Sequence, residues 1–156
     1  MLIKVPCAKI KETQALAEKF AKIAKKGDVF LLFGTLGVGK SVFARAFVKA
    51  LSNASEVPSP TFTLVQTYAA PDFEIYHFDL YRLKSEEEIW ELNMEEALFG
   101  AVSLIEWPEK MGPYMPKNAF KILIRSVSQD ERLFEIECTD EEKQKRLEEV
   151  FFQKAK

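Results

Sequence analysis

The residues with the most chemical content are Gly34-Thr35-Leu36-Gly37-Val38-Gly39-Lys40-Ser41, which match G-x-x-x-x-G-K-[ST] at every fixed position. Glycines at these positions let the backbone curl so that successive N–H groups point at phosphate oxygens. A helix beginning at Lys40 adds partial positive charge at the same place. Lys40 is placed to reach the β- and γ-phosphates, and the Ser41 hydroxyl to ligate Mg²⁺. Val42, next along the helix, closes the set. No Asn-Lys-x-Asp run exists to read a guanine edge, so ATP is the expected nucleotide.

A phosphate cradle does chemistry only with acidic residues at the ends of buried strands. Two candidates follow apolar runs: Asp79 after Ile75-Tyr76-His77-Phe78, and Glu106 after Val102-Ser103-Leu104-Ile105. One would hold Mg²⁺ and the other would orient the attacking water; the sequence leaves that assignment open. Ser59-Pro60-Thr61 lies about twenty residues beyond Ser41, where a hydroxyl in a switch segment could reach the γ-phosphate or the metal. Ordinary strand entry is the competing reading for it. Arg82 reads as half of an exposed ion pair or as a contact to transition-state charge. Arg45 reads as surface, and His77 as a packed hydrogen-bonding residue of a strand. Trp107 reads as a buried aromatic beside the Glu106 strand end.

These side chains need elements to hold them. Asp28–Phe33 is an apolar run of strand length just before the loop. Phe43, Ala46, Phe47, Ala50 and Leu51 then share one helical face. Upstream, Leu2–Val5 predicts a short edge strand ended by Pro6, and Ile10 to Lys26 a helix with Ile10, Thr13, Leu16, Ala17, Phe20, Ile23 and Ala24 inward. Thr61–Tyr68 and Phe73–Leu80 read as strands. The four residues Ala69–Asp72 between them force an antiparallel pair, so the sheet must be mixed. Lys84 to Phe99 reads as a helix started by Ser85, and its glutamates as a solvated first turn. Ala101–Ile105 predicts a buried strand, and Phe120–Val127 with Arg132–Cys138 a hairpin. Thr139 with Glu142 reads as a capping box for a last helix, Glu141 to Lys156, with Leu147, Val150 and Phe151 inward. The expectation is one α/β domain over residues 1–156: a three-layer P-loop NTPase fold whose mixed sheet is flanked by helices.

With 156 residues, 47% of them hydrophobic and 29% charged, the chain suits one domain with a real core. A net charge of −2 excludes a broad basic field for nucleic acid. There is no run of membrane-spanning length and no long apolar region near Met1. Cys7 and Cys138 stand far apart and read as buried free thiols, so a cytoplasmic protein is expected.

Four blocks together carry a resemblance: Gly34–Ser41, Val57-Pro58-Ser59-Pro60-Thr61-Phe62-Thr63-Leu64-Val65, His77-Phe78-Asp79-Leu80-Tyr81-Arg82-Leu83, and Leu104-Ile105-Glu106-Trp107-Pro108-Glu109-Lys110. In this order they resemble the TsaE (YjeE-like) family of bacterial P-loop ATPases. The resemblance implies Mg²⁺-dependent ATP binding, slow hydrolysis alone, and a part in making the threonylcarbamoyladenosine modification of tRNA. It implies association with a TsaD-type threonylcarbamoyl transferase and its TsaB-type paralogue, with tRNA met only indirectly and no membrane involved. It assigns Lys40 and Ser41 to phosphate and Mg²⁺, Thr61 to the switch-like segment, Asp79 and Glu106 to essential acidic positions, and Trp107 to the side of the nucleotide site. His77 and Arg82 also match family positions. Two loop residues depart from the family's common Gly-Asp-Leu-Gly-Ala-Gly-Lys-Thr. Thr35 replaces an acidic residue, and Val38 adds bulk where the loop turns tightly.

Two other functions fit the loop. A small-molecule kinase would use the same cradle, but Lys84 to Phe99 holds no arginine for a lid. A nucleotide-gated binding module would use ATP to order Ser59–Thr61 with negligible turnover.

Overall fold

The computed structural model describes residues 1–152. In chain order its elements are β1 (Leu2–Cys7), α1 (Ile10–Ile23), β2 (Val29–Phe33), α2 (Lys40–Leu51), β3 (Val65–Ala69), β4 (Glu74–Asp79), a 3-10 segment (Glu86–Leu92), α3 (Met94–Gly100), β5 (Val102–Glu106), a second 3-10 segment (Pro108–Tyr114), β6 (Phe120–Ser126), β7 (Arg132–Glu137) and α4 (Glu141–Phe151). The seven strands make one sheet in the order β1-β7-β6-β2-β5-β4-β3. Strand β2 pairs in parallel with β5 and β6, and β5 in parallel with β4. The β3–β4, β6–β7 and β1–β7 pairs are antiparallel, which gives the expected mixed sheet.

Alternation along β2 sends its side chains to two cores. Phe30 and Leu32 face α1, α2 and α4 with Phe20, Phe43, Phe47 and Leu147. Phe30 stacks on Phe120 at 4.8 Å, and Phe20 meets Phe30 edge-on at 5.8 Å. Val29 and Leu31 face the other way, against Ile89, Met94, Ala97 and Met111 of the short helical segments. Parallel pairing on both sides of β2 brings Leu32 opposite Glu106, and Asp79 opposite Glu106 on the next strand. The loop and both acidic residues therefore emerge at the carboxyl edge of the sheet, where open α/β sheets bind ligands.

Several local expectations need correction. Pro6 does not end β1; it pairs with Leu133 on the sheet edge, where a missing N–H costs no ladder bond. Ile10 and Ala50 are exposed rather than inward, each lying near a helix end. Thr61–Leu64 is not strand: Leu64 takes φ 68°, its N–H bonds the Pro60 carbonyl at 2.7 Å, and β3 begins only at Val65. The Lys84 to Phe99 helix is broken at Asn93, whose φ of 60° separates a 3-10 segment from α3. Ser85 and Glu88 form a reciprocal capping box at its start. The cap of α4 is Asp140, accepting from the Lys143 N–H at 3.1 Å, one residue beyond the expected Thr139. Leu147 is buried and Val150 half-buried, and Phe151 packs on Phe20 at 5.8 Å. The end of that expected helix, residues 153–156, lies outside the described residues. Both cysteines are buried free thiols. No helix among the described residues is long and apolar enough to cross a membrane.

Candidate nucleotide-binding site

The loop between β2 and α2 closes on itself. Gly39 caps α2 in the left-handed region at φ 118°, which a side chain would strain. At Gly34 a Cβ would meet Val38 Cγ1 at 2.8 Å and the Ile124 carbonyl at 3.0 Å, so only glycine fits. Val38 itself is 4% exposed and belongs to the core beneath the loop. Its bulk is taken up by the space that Gly34 leaves. Thr35 and Leu36 are exposed at the loop tip.

Lys40 is 4% exposed. Its Nζ donates to the Gly34 carbonyl at 2.6 Å and lies 3.4 Å from the centre of the Trp107 ring. Burial lowers the Lys40 pKa, and the charges of Glu106, Glu109 and Asp79 only partly restore it. Trp107 is half-buried, in the left-handed region at φ 59°, with Tyr81 against it at 4.9 Å. It is thus a wall of the site rather than a core residue.

Two carboxylates hold distinct positions. The Ser41 hydroxyl donates to Glu106 Oε1 at 3.2 Å, and His77 Nε2 lies 2.6 Å from Glu106 Oε2. His77 and Glu106 are both buried, so the imidazole fixes the carboxylate from behind. Asp79 accepts from the Tyr81 N–H at 3.1 Å and from the Thr61 hydroxyl at 3.4 Å. Thr61 also shares a 2.9 Å hydrogen bond with Ser59. Burial raises the Asp79 pKa, Glu106 adds to the rise, and the Tyr81 N–H, His77 and Thr61 oppose it. A cleft of about 300 Å³ joins Lys40, Ser41, Thr61, Asp79, Glu106 and Trp107. Arg45 is exposed at its rim. Arg82 makes no ion pair with Asp79 among the described residues; its guanidinium lies over the exposed Phe62 ring at 4.7 Å.

A second cleft, of about 720 Å³, shares Gly37, Gly39 and Val42 with the first and is also lined by Val38. Its far walls are the β1–α1 loop around Lys9 and Ile10, and the β6–β7 hairpin around Gln129, Asp130 and Arg132. Sequence reasoning missed both walls. They lie some thirty residues before and ninety after the loop, and neither carries a local pattern.

The donor set suits a hard cation that arrives with phosphates. Ser41 and Glu106 supply oxygens side by side, with Asp79 on the adjacent strand. Among the described residues no three His, Cys, Asp or Glu side chains gather as a metal site by themselves.

A mixed α/β sheet with a glycine-rich loop running from its central strand into a helix defines a P-loop NTPase fold. The solved structure of YdiB from Bacillus subtilis has this fold, with a TM-score of 0.78 and 27% identity, covering 96% of this chain and 94% of that one. The model of the family "Threonylcarbamoyl adenosine biosynthesis protein TsaE" matches residues 7–134. A Rickettsia bellii protein named tRNA threonylcarbamoyladenosine biosynthesis protein TsaE is 45% identical over 126 residues, 80% of this chain and 88% of that protein. A Bacillus subtilis protein of the same name is 38% identical over 122 residues, 78% of this chain and 76% of that one. The chain belongs to the TsaE family.

Proposed function

We propose that this protein is a Mg²⁺-dependent ATPase that serves tRNA threonylcarbamoyladenosine biosynthesis as an accessory subunit of the threonylcarbamoyl transferase and its paralogue. The observation that carries the ATPase reading is the convergence of Lys40, Ser41, Glu106, Asp79 and Thr61 on one cleft beside the loop. Family membership supports the pathway.

A triphosphate would be held by the loop, and the larger cleft beyond Gly37 and Gly39 has room for its base. Lys40 leaves the Gly34 carbonyl and the Trp107 face for the β- and γ-phosphates; its poorly solvated ammonium interacts more strongly there than in water. Ser41 and Glu106 are the residues that would hold Mg²⁺, and His77 keeps Glu106 Oε1 turned toward Ser41. Mg²⁺ bound there would neutralise charge on the β- and γ-phosphates. Asp79 then takes the other role, orienting the attacking water and accepting its proton, with Thr61 as its link to the 59–64 segment. Thr35 and Val38 leave this arrangement intact, because one is exposed and the other faces the core.

The test is ATP hydrolysis by the purified protein with and without the transferase and its paralogue. Hydrolysis that needs Mg²⁺ and rises on adding the pair is expected, with Lys40→Ala lowering it about a hundredfold or more. An unchanged rate in Lys40→Ala would overturn the mechanism. A rate indifferent to the pair would overturn the accessory role and leave the site standing.

A further inference from the structure

Arg132, the first residue of β7, reaches back across the molecule to the phosphate loop. Its Nε donates to the Val38 carbonyl at 2.8 Å. Its Nη1 lies 2.9 Å from the Ser128 carbonyl, 3.2 Å from Gln129 and 3.0 Å from Glu131, the carbonyls of the β6–β7 turn. One planar fork therefore ties the hairpin to the loop. The Val38 carbonyl belongs to the same rigid peptide as the Gly39 N–H, and in a trans peptide the two point in opposite directions. Gly39 sits at φ 118° and borders both clefts. With the Val38 oxygen held toward the hairpin, the Gly39 N–H points away from it.

We infer that Arg132 is a positioning residue that sets the Gly39 N–H for phosphate and couples the hairpin wall of the larger cleft to the loop. This rests on the nucleotide reading above. A charge-assisted bond to a backbone carbonyl is strong enough to hold one peptide orientation against its flipped alternative. Lysine could not make both sets of bonds at once, since it offers a point charge rather than a fork.

The experiment compares the affinity of ATP with that of inorganic tripolyphosphate, which has the phosphates and no base. Both are measured by calorimetry with no divalent cation present, on wild type, Arg132→Ala, Arg132→Lys and Val127→Ala. Circular dichroism confirms that each variant is folded. Arg132→Ala is expected to weaken both ligands by a similar factor, roughly tenfold. Arg132→Lys should recover only part of that loss. Val127→Ala, an exposed change on the same hairpin outside both clefts, should leave tripolyphosphate affinity unchanged. Loss of ATP affinity alone in Arg132→Ala would make Arg132 a base contact and overturn the inference. Unchanged affinity for both, or an equal loss in Val127→Ala, would overturn it too. Wild-type protein that bound neither ligand would bring down the nucleotide reading itself.

Discussion

Burial at the site works against two of the charges it contains. Lys40 and Asp79 are 4% and 6% exposed, and desolvation is the largest influence on each. Asp79 binds its proton more tightly in the folded chain than in the unfolded one, where an aspartate titrates near about 3.9. Its contribution to stability is therefore present below that value and lost as pH rises through the raised folded pKa. Asp79→Asn removes the ionisation. Without metal or nucleotide, its melting temperature should exceed the wild-type value by a few degrees at pH 7. The gap should shrink on acidification and vanish below the unfolded-state pKa, while hydrolysis is lost. An equal or lower melting temperature at pH 7 would contradict the cost assigned to this carboxylate. His77 offers a second test. If its role is to hold Glu106, then His77→Gln should raise the Mg²⁺ concentration for half-maximal nucleotide binding by roughly 10- to 100-fold. Metal-free ATP affinity should change little. Lys40, Ser41, Asp79 and Glu106 were legible in the sequence because each sits in a local pattern: a loop before a helix, or a carboxylate after an apolar run. The partners of His77 and Arg132 were not. Their bonds cross 29 and 94 residues and depend on which strands become neighbours.

At the scale of elements, α4 has a task that its sequence did not announce. Arg146 reaches Asp28 with two bonds, Nη1 to Oδ2 at 2.6 Å and Nη2 to Oδ1 at 2.9 Å, and Nη1 also donates to the Ile23 carbonyl at 2.6 Å. Asp28 further accepts from the Lys25 N–H at 2.8 Å. One buried pair thus joins the last helix, the end of α1 and the start of β2. Arg146→Ala would leave the Asp28 carboxylate buried without its cation, at a cost of about 3–5 kcal/mol. That corresponds to a fall in melting temperature of roughly 10 °C. Asp28→Asn with Arg146→Met should recover most of it, since the uncompensated charge is gone while the introduced amide oxygen can still accept from the Lys25 N–H. A double variant no better than Arg146→Ala would show that packing, not charge, holds this corner. Long amphipathic stretches such as α1 and α2 were readable because burial and helical period agree along them. The 59–64 and 84–99 stretches were misread where single residues override the pattern. Leu64 and Asn93 both adopt positive φ, and no propensity marks a leucine for that.

For the whole molecule, topology and charge together bear on how a protein of this kind meets tRNA. The parallel core β4-β5-β2-β6 delivers Lys40, Ser41, Asp79 and Glu106 to one edge of the sheet, and Thr61 reaches it from the segment leading into antiparallel β3. The Asp28–Arg146 corner lies at the other end of β2. The chain carries 22 Lys and Arg against 24 Asp and Glu, so its net charge of −2 gives no long-range attraction to a phosphate backbone. The 3-10 segment and α3 beside the site are acidic, with Glu86, Glu87, Glu88, Glu91, Glu95 and Glu96 in sequence. A chain of this charge offers a polyanion little to bind at long range. Adding tRNA alone should therefore leave ATP hydrolysis unchanged within error at about 50 mM and at about 200 mM salt, the range over which phosphate contacts lose affinity steeply. Adding the transferase and its paralogue should raise hydrolysis, and tRNA should then alter the rate only in their presence. Stimulation by tRNA alone that fades with salt would place a direct nucleic-acid contact on this chain, against what its charge predicts.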